Sequence, residues 1–209
     1  MKKLLAVLFL AALVAGGAFA QLPPMSAGGG VILDMSFGNG VKNGHLGYKS
    51  QNQNVSFGGF AFFDITYAEV SIDFAYGSTT NSPLLGSNVE TKGNVMQLGI
   101  SALGKYPIEI GSFTLFPLVG VEYNMVLSGK FHNYKKDIPN TKAMDFSQFG
   151  ILAGAGVNYP IMRNLYIRGE VLVNIRFASK FNKDYADIVD GKTTLGFGPR
   201  VKVGVGYSF

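Results

Sequence analysis

The stretch TTLGFGPRVKVGVGYSF, Thr193 to Phe209, decides the fold. From Leu195 onward every second residue is apolar: Leu195, Phe197, Pro199, Val201, Val203, Val205, Tyr207 and Phe209. Between them stand Gly196, Gly198, Arg200, Lys202, Gly204, Gly206 and Ser208. A period of 2 makes a strand with one greasy face and one face of glycine, cation and hydroxyl. In water, an edge strand this long and this apolar would template aggregation. Lipid over the apolar face, and a closed barrel that abolishes the edge, remove both problems.

The same alternation recurs upstream. It predicts strands at Gly30 to Gly38, Val55 to Asp64, Val70 to about Gly77, Asn94 to Tyr106, Phe113 to Leu127, Gln148 to Tyr159 and Leu165 to Arg176. The faces of Val55 to Asp64 are similarly apolar, so its lipid-facing side is not fixed by pattern. Connections alternate long and short. Asn39 to Asn54, Ser78 to Lys92, Ser128 to Asp145 and Ala178 to Lys192 are polar and rich in breakers, whereas Asp64 to Tyr67, Pro107 to Gly111 and Pro160 to Asn164 are brief. Eight strands with this asymmetry predict an all-β, closed, antiparallel up-and-down transmembrane barrel, with short periplasmic turns and longer surface loops. A soluble lipocalin-like barrel would put the apolar faces inside. That interior is too narrow to hold them.

Composition agrees. Hydrophobic residues are 47% and charged ones 15% of 209, yet after the leader no apolar run reaches helix-spanning length. Trp is absent, so any interfacial aromatic belt must be built from the 10 Tyr and 17 Phe. Lys2 and Lys3, the apolar run Leu4 to Val14 and the Ala18-Phe19-Ala20 site read as a signal peptide, residues 1–20, cleaved after Ala20 for Sec export. Residues 21–209 form the single mature domain. Losing Lys2 and Lys3 takes the formal charge from +5 to +3, so basicity is no argument for a nucleic-acid partner. With no Cys there is no lipidation site, disulfide or thiol chemistry.

These features resemble the small outer-membrane β-barrel proteins of diderm bacteria, the OmpA/OmpX/OmpW-like group. The resemblance covers essentially the whole mature chain. It implies an outer-membrane location, and it implies that Val205, Tyr207 and Phe209 form the signal read by the barrel-assembly machinery. Its OmpW-like branch implies a conduit for small hydrophobic molecules as one role, beside a structural or adhesin-like surface role.

Charges facing the lumen of so narrow a barrel must be paired. Asp34, Asp73, Glu122 and Glu170 against Arg168, Arg176, Arg200 and Lys202 supply a nearly balanced network. Closure should bring Asp34 to Lys202 or Arg200, and a last hairpin symmetric about its loop should bring Glu170 close to Arg200. The network reads as a salt-bridge plug or, alternatively, as a gate. Leu103, Phe116, Leu118, Leu152 and Leu172 also point inward, as core or as the lining of a hydrophobic pocket. The lysines of Ser128 to Asp145 (Lys130, Lys135, Lys136, Lys142), with Phe131 and Tyr134, could bind lipid phosphates, a polyanion or a surface partner. No catalytic, cofactor or metal site is expected. The two histidines, His45 and His132, fall in loops, and no metal-ligand spacing occurs.

Overall fold

Alternating residues commit each segment to a sheet with two unlike faces, and among the described residues the computed structural model contains strands and no helix. It describes residues 24–41, 49–83, 91–131, 136–138, 147–177 and 192–209; the expected leader lies outside them. In chain order the strands are β1 (Met25–Val41), β2 (Lys49–Ile65), β3 (Ala68–Pro83), β4 (Thr91–Lys105), β5 (Ile108–Ile110), β6 (Phe113–Phe131), β7 (Lys136–Ile138), β8 (Gln148–Pro160), β9 (Leu165–Phe177) and β10 (Lys192–Ser208). Eight are long staves. The short β5 and β7 each form a ribbon on β6. Every stave pairs antiparallel with the next, and β1 pairs with β10, Val31 opposite Val203 and Asp34 opposite Arg200. The sheet therefore closes as an eight-stranded up-and-down barrel, and no long edge is left to template a partner.

The staves outrun the apolar pattern at the long-loop end. β2 starts at Lys49 and β3 continues to Pro83, with Asn52 opposite Asn81 and Gln53 opposite Thr80, where the sequence suggested loops. Backbone ladders form whatever the side chains are, so polarity marks where the apolar environment ends and not where pairing ends. The expected loop Ser128 to Asp145 is corrected in the same way. β6 bulges at Leu127, between the pairs Gln97 with Val126 and Met96 with Ser128, and then runs to Phe131. There Gly129 to Phe131 pairs with β7.

Register settles the ambiguous second strand. Asp34 lies opposite Ser56 and Ile32 opposite Gly58, and cross-strand partners share a face. Phe60, Phe62 and Asp64 accordingly point inward and are buried, while Phe57 and Phe63 are 61% and 41% exposed.

The outer face sorts by height. Its middle is aliphatic, with Leu33, Ile72, Ile100, Val121, Val171 and Val203 all exposed. Toward the short turns it carries Phe63, Tyr67, Tyr106, Tyr159, Tyr207 and Phe209, and toward the long loops Phe57, Tyr76, Tyr123, Phe149, Phe177 and Phe197. Rings touch within each girdle, Tyr67 with Tyr106 at 6.4 Å and Phe149 with Phe177 at 6.3 Å. From Phe197 to Tyr207, at about 3.3 Å per residue and a tilt of about 40°, the band stands roughly 25 Å tall. That is the outward band of a membrane-spanning barrel.

Inside, glycines admit rings. A Cβ on Gly156 would lie 2.3 Å from the Phe116 ring, and one on Gly206 2.2 Å from the Tyr166 ring. Only glycine at these positions lets Phe116 and Tyr166 turn into the lumen.

Candidate functional site

The lumen is the site the fold builds, and it is filled by charge. Parity on the staves turns Asp34, Asp73, Glu122, Arg168, Glu170, Arg176, Arg200 and Lys202 inward, and all eight are at most 5% exposed. The structure adds Asp64, Glu69 and Lys105, whose side chains are 5% exposed or less. Sequence reasoning left these three out. Each lay near a turn or a predicted strand end, although Glu69 shares parity with Asp73 and Lys105 with Leu103.

Two clusters divide the charges. Nearer the long loops, Arg200 reaches Asp34 at 3.0 Å, Glu122 at 2.6 Å and Asp73 at 3.4 Å. Arg176 pairs with Asp34 and, at 2.9 Å, with Glu122. Asn174 Nδ2 donates to Asp34 at 2.7 Å, and Lys202 Nζ donates to Ser71 at 2.7 Å and Asp73 at 2.8 Å. Guanidiniums supply several donors in a fixed plane, which is how two arginines serve three carboxylates from β1, β3 and β6. Three cations here meet three anions, so the cluster is neutral by count.

Nearer the short turns, Arg168 is shared by Asp64 at 2.9 Å, Glu69 and Glu170, while Lys105 also pairs with Asp64. The Arg168 guanidinium lies between two rings, 4.5 Å from the centre of Phe62 and 4.7 Å from that of Phe116. Ring faces are negative, so they add to the attraction while excluding water. Three carboxylates here meet two cations.

Asp34 does reach Arg200 across the closing seam. Glu170 does not reach Arg200. The β9–β10 ladder sets Lys202 opposite Glu170 and Arg200 opposite Leu172, one pair away from the symmetric hairpin, and the bonded partner of Glu170 is Arg168. A shift of two residues leaves every side chain on its own face, so alternation could not have chosen between the registers.

Apolar residues complete the filling. Leu103, Phe116, Leu118, Leu152 and Leu172 pack as one cluster, at most 3% exposed. Ile32, Phe60, Phe62 and Tyr166 form a second cluster, with Tyr166 Oη bonded to Ser26 Oγ at 2.7 Å. A cavity of about 310 Å³ opens at the short-turn end, and of the first cluster only Phe116 lines it. Val205, Tyr207 and Phe209 point outward from the end of the chain. His45, His132, Tyr134, Lys135 and Lys142 lie outside the described residues. Lys130, Phe131 and Lys136 lie on the β6–β7 ribbon.

No family model matches the chain, and no curated protein matches it. Among solved structures it is similar to Neisserial surface protein A, at 12% identity over 88% of this chain and 97% of that one, TM-score 0.45. It is also similar to the Escherichia coli outer membrane protein W, at 13% over 91% and 100%, TM-score 0.49. A third is Ail, the attachment invasion locus protein of Yersinia pestis, solved with the heparin analogue sucrose octasulfate, at 15% over 90% and 99%, TM-score 0.39. On its own geometry, with eight up-and-down strands, an aliphatic belt between two aromatic girdles and a filled charged lumen, the chain has the fold of a small outer-membrane β-barrel protein.

Proposed function

We propose that this protein is an exported outer-membrane barrel, its leader removed after Ala20, that works as a rigid, closed stalk presenting loops at the cell surface. One observation carries the reading. Arg176 and Arg200 tie carboxylates of β1, β3 and β6 together across the lumen, so the space a pore would need is occupied by paired charge. Breaking such a buried network leaves an uncompensated ion, which holds the plug shut. Function then falls to the loops. Lys130 and Lys136 belong to the β6–β7 ribbon, and with Lys135 and Lys142 of the same stretch of sequence they supply positive charge for a polyanion or a surface partner. No catalytic step is part of this reading.

In planar bilayers the refolded protein is expected to show no unit conductance; steps in the wild type would overturn the plug. Cells displaying the protein should bind dextran-sulfate beads, and a variant with Lys135, Lys136 and Lys142 replaced by Gln should not. The conduit for small hydrophobic molecules needs the Leu103 to Leu172 cluster to open. Fatty-acid binding that is lost in Leu152→Asn and Leu172→Asn would favour it over the stalk.

A further inference from the structure

Counted with every carboxylate ionised, the short-turn half of the lumen is short of one positive charge. Among the described residues six buried carboxylates, Asp34, Asp64, Glu69, Asp73, Glu122 and Glu170, face five cations, Lys105, Arg168, Arg176, Arg200 and Lys202. The loop-side cluster balances, so the deficit belongs to Asp64, Glu69 and Glu170. Two acceptors there are buried without a hydrogen-bond partner, Glu69 Oε1 and Glu170 Oε2, and their residues are 1% and 2% exposed. Buried acceptors left unmade, and net charge in a low dielectric, both favour an incoming cationic donor.

The cavity at the short-turn mouth is where such a donor can enter. Asp64, Lys105, Glu109, Phe116, Asn158 and Tyr166 are among the residues that line it. Asn158 Oδ1 is a third acceptor with no partner. Glu109 adds a second lining carboxylate, and Glu69 stands directly opposite Asp64 in the β2–β3 ladder. No group of three His, Asp or Glu side chains among the described residues is placed to hold a metal ion. About 310 Å³ beside two aromatic rings suits a body of several carbon atoms.

We propose that this mouth binds a small organic cation, a primary ammonium on a short aliphatic chain. Its N–H groups meet Asp64, Glu109 and Asn158 Oδ1, and its charge offsets the deeper Glu69 and Glu170. The ammonium is either free in solution or the headgroup of an ethanolamine phospholipid in the adjacent leaflet.

The test uses the full mature chain in phosphatidylcholine nanodiscs, titrated with butylammonium chloride and followed by amide NMR, with sodium chloride at equal ionic strength as the control. Saturable shifts confined to Gly111, Ser112, Thr114 and the Asn158 side chain are expected. Glu109→Gln, at an exposed position of β5, and Asn158→Leu should each weaken binding roughly five- to ten-fold. Discs doped with phosphatidylethanolamine should show the same shifts before any amine is added if the headgroup is the source, and should behave like the undoped discs if it is not. Shifts that never saturate, that sodium reproduces, or that survive both substitutions would overturn the site.

Discussion

Arg168 shows how much one side chain can hold. It is fully buried, bonded to Asp64, Glu69 and Glu170, and placed between Phe62 and Phe116. Arg168→Met keeps the bulk but strands Glu69 and Glu170 and leaves Asp64 to Lys105 alone, and loss of one partner of a buried network costs about 3–5 kcal/mol. The urea midpoint of the protein in micelles should fall accordingly. Arg168→Lys should recover only part, because a point charge cannot serve three acceptors in one plane. Gly156→Ala should also destabilise, since its Cβ would sit 2.3 Å from the Phe116 ring. Overpacking of this kind costs about 1–3 kcal/mol. Phe116→Leu in the same chain should return part of it, and a double-mutant cycle showing no coupling between the two would refute the contact. At this scale the sequence was legible where parity was clean, as at Arg168, Arg200 and Asp34. It was silent at Asp64, Glu69 and Lys105, because a charge beside a turn reads as solvated until the register shows it facing the lumen.

Along a strand the two faces answer to different solvents. Outward Val203, 49% exposed at mid-height, faces lipid, while Lys202 beside it is fully buried among Ser71 and Asp73. Val203→Arg should therefore cost about 2–4 kcal/mol, the depth-dependent penalty for a cation at the bilayer midplane. The yield of folded protein in vesicles, read as the heat-sensitive band on a gel, should drop; an unchanged yield would mean that this face does not meet lipid. Alternation made the eight staves legible, because a lipid-facing strand cannot break its pattern without burying charge in hydrocarbon. It could not give their ends. Beyond the aromatic girdle on the long-loop side, the Asn, Gln, Ser and Thr residues of β2 and β3 pair although nothing in their hydropathy requires it. Nor could it give the β6 bulge at Leu127, which reverses parity without changing composition.

For the molecule as a whole the decisive quantity is the match between its belt and its solvent. The interior is already full of ion pairs and two apolar clusters, so Phe57, Val119, Val171 and Phe197, each more than half exposed, have no protein surface to retreat to. Contiguous apolar area of this extent does not persist on a monomer in water. The closed ladder, in turn, satisfies its backbone groups with no help from solvent, which is what hydrocarbon demands. A belt roughly 25 Å tall should then have a preferred bilayer, with thicker or thinner membranes costing fractions of a kcal/mol per Å of mismatch. Refolding into phosphatidylcholine vesicles of graded acyl length should give the highest unfolding midpoint near that thickness and lower midpoints on either side. In detergent-free buffer the same chain should aggregate. A monodisperse folded monomer in plain buffer, or a midpoint indifferent to acyl length, would show that the aliphatic belt is not a lipid surface and would take the membrane assignment with it.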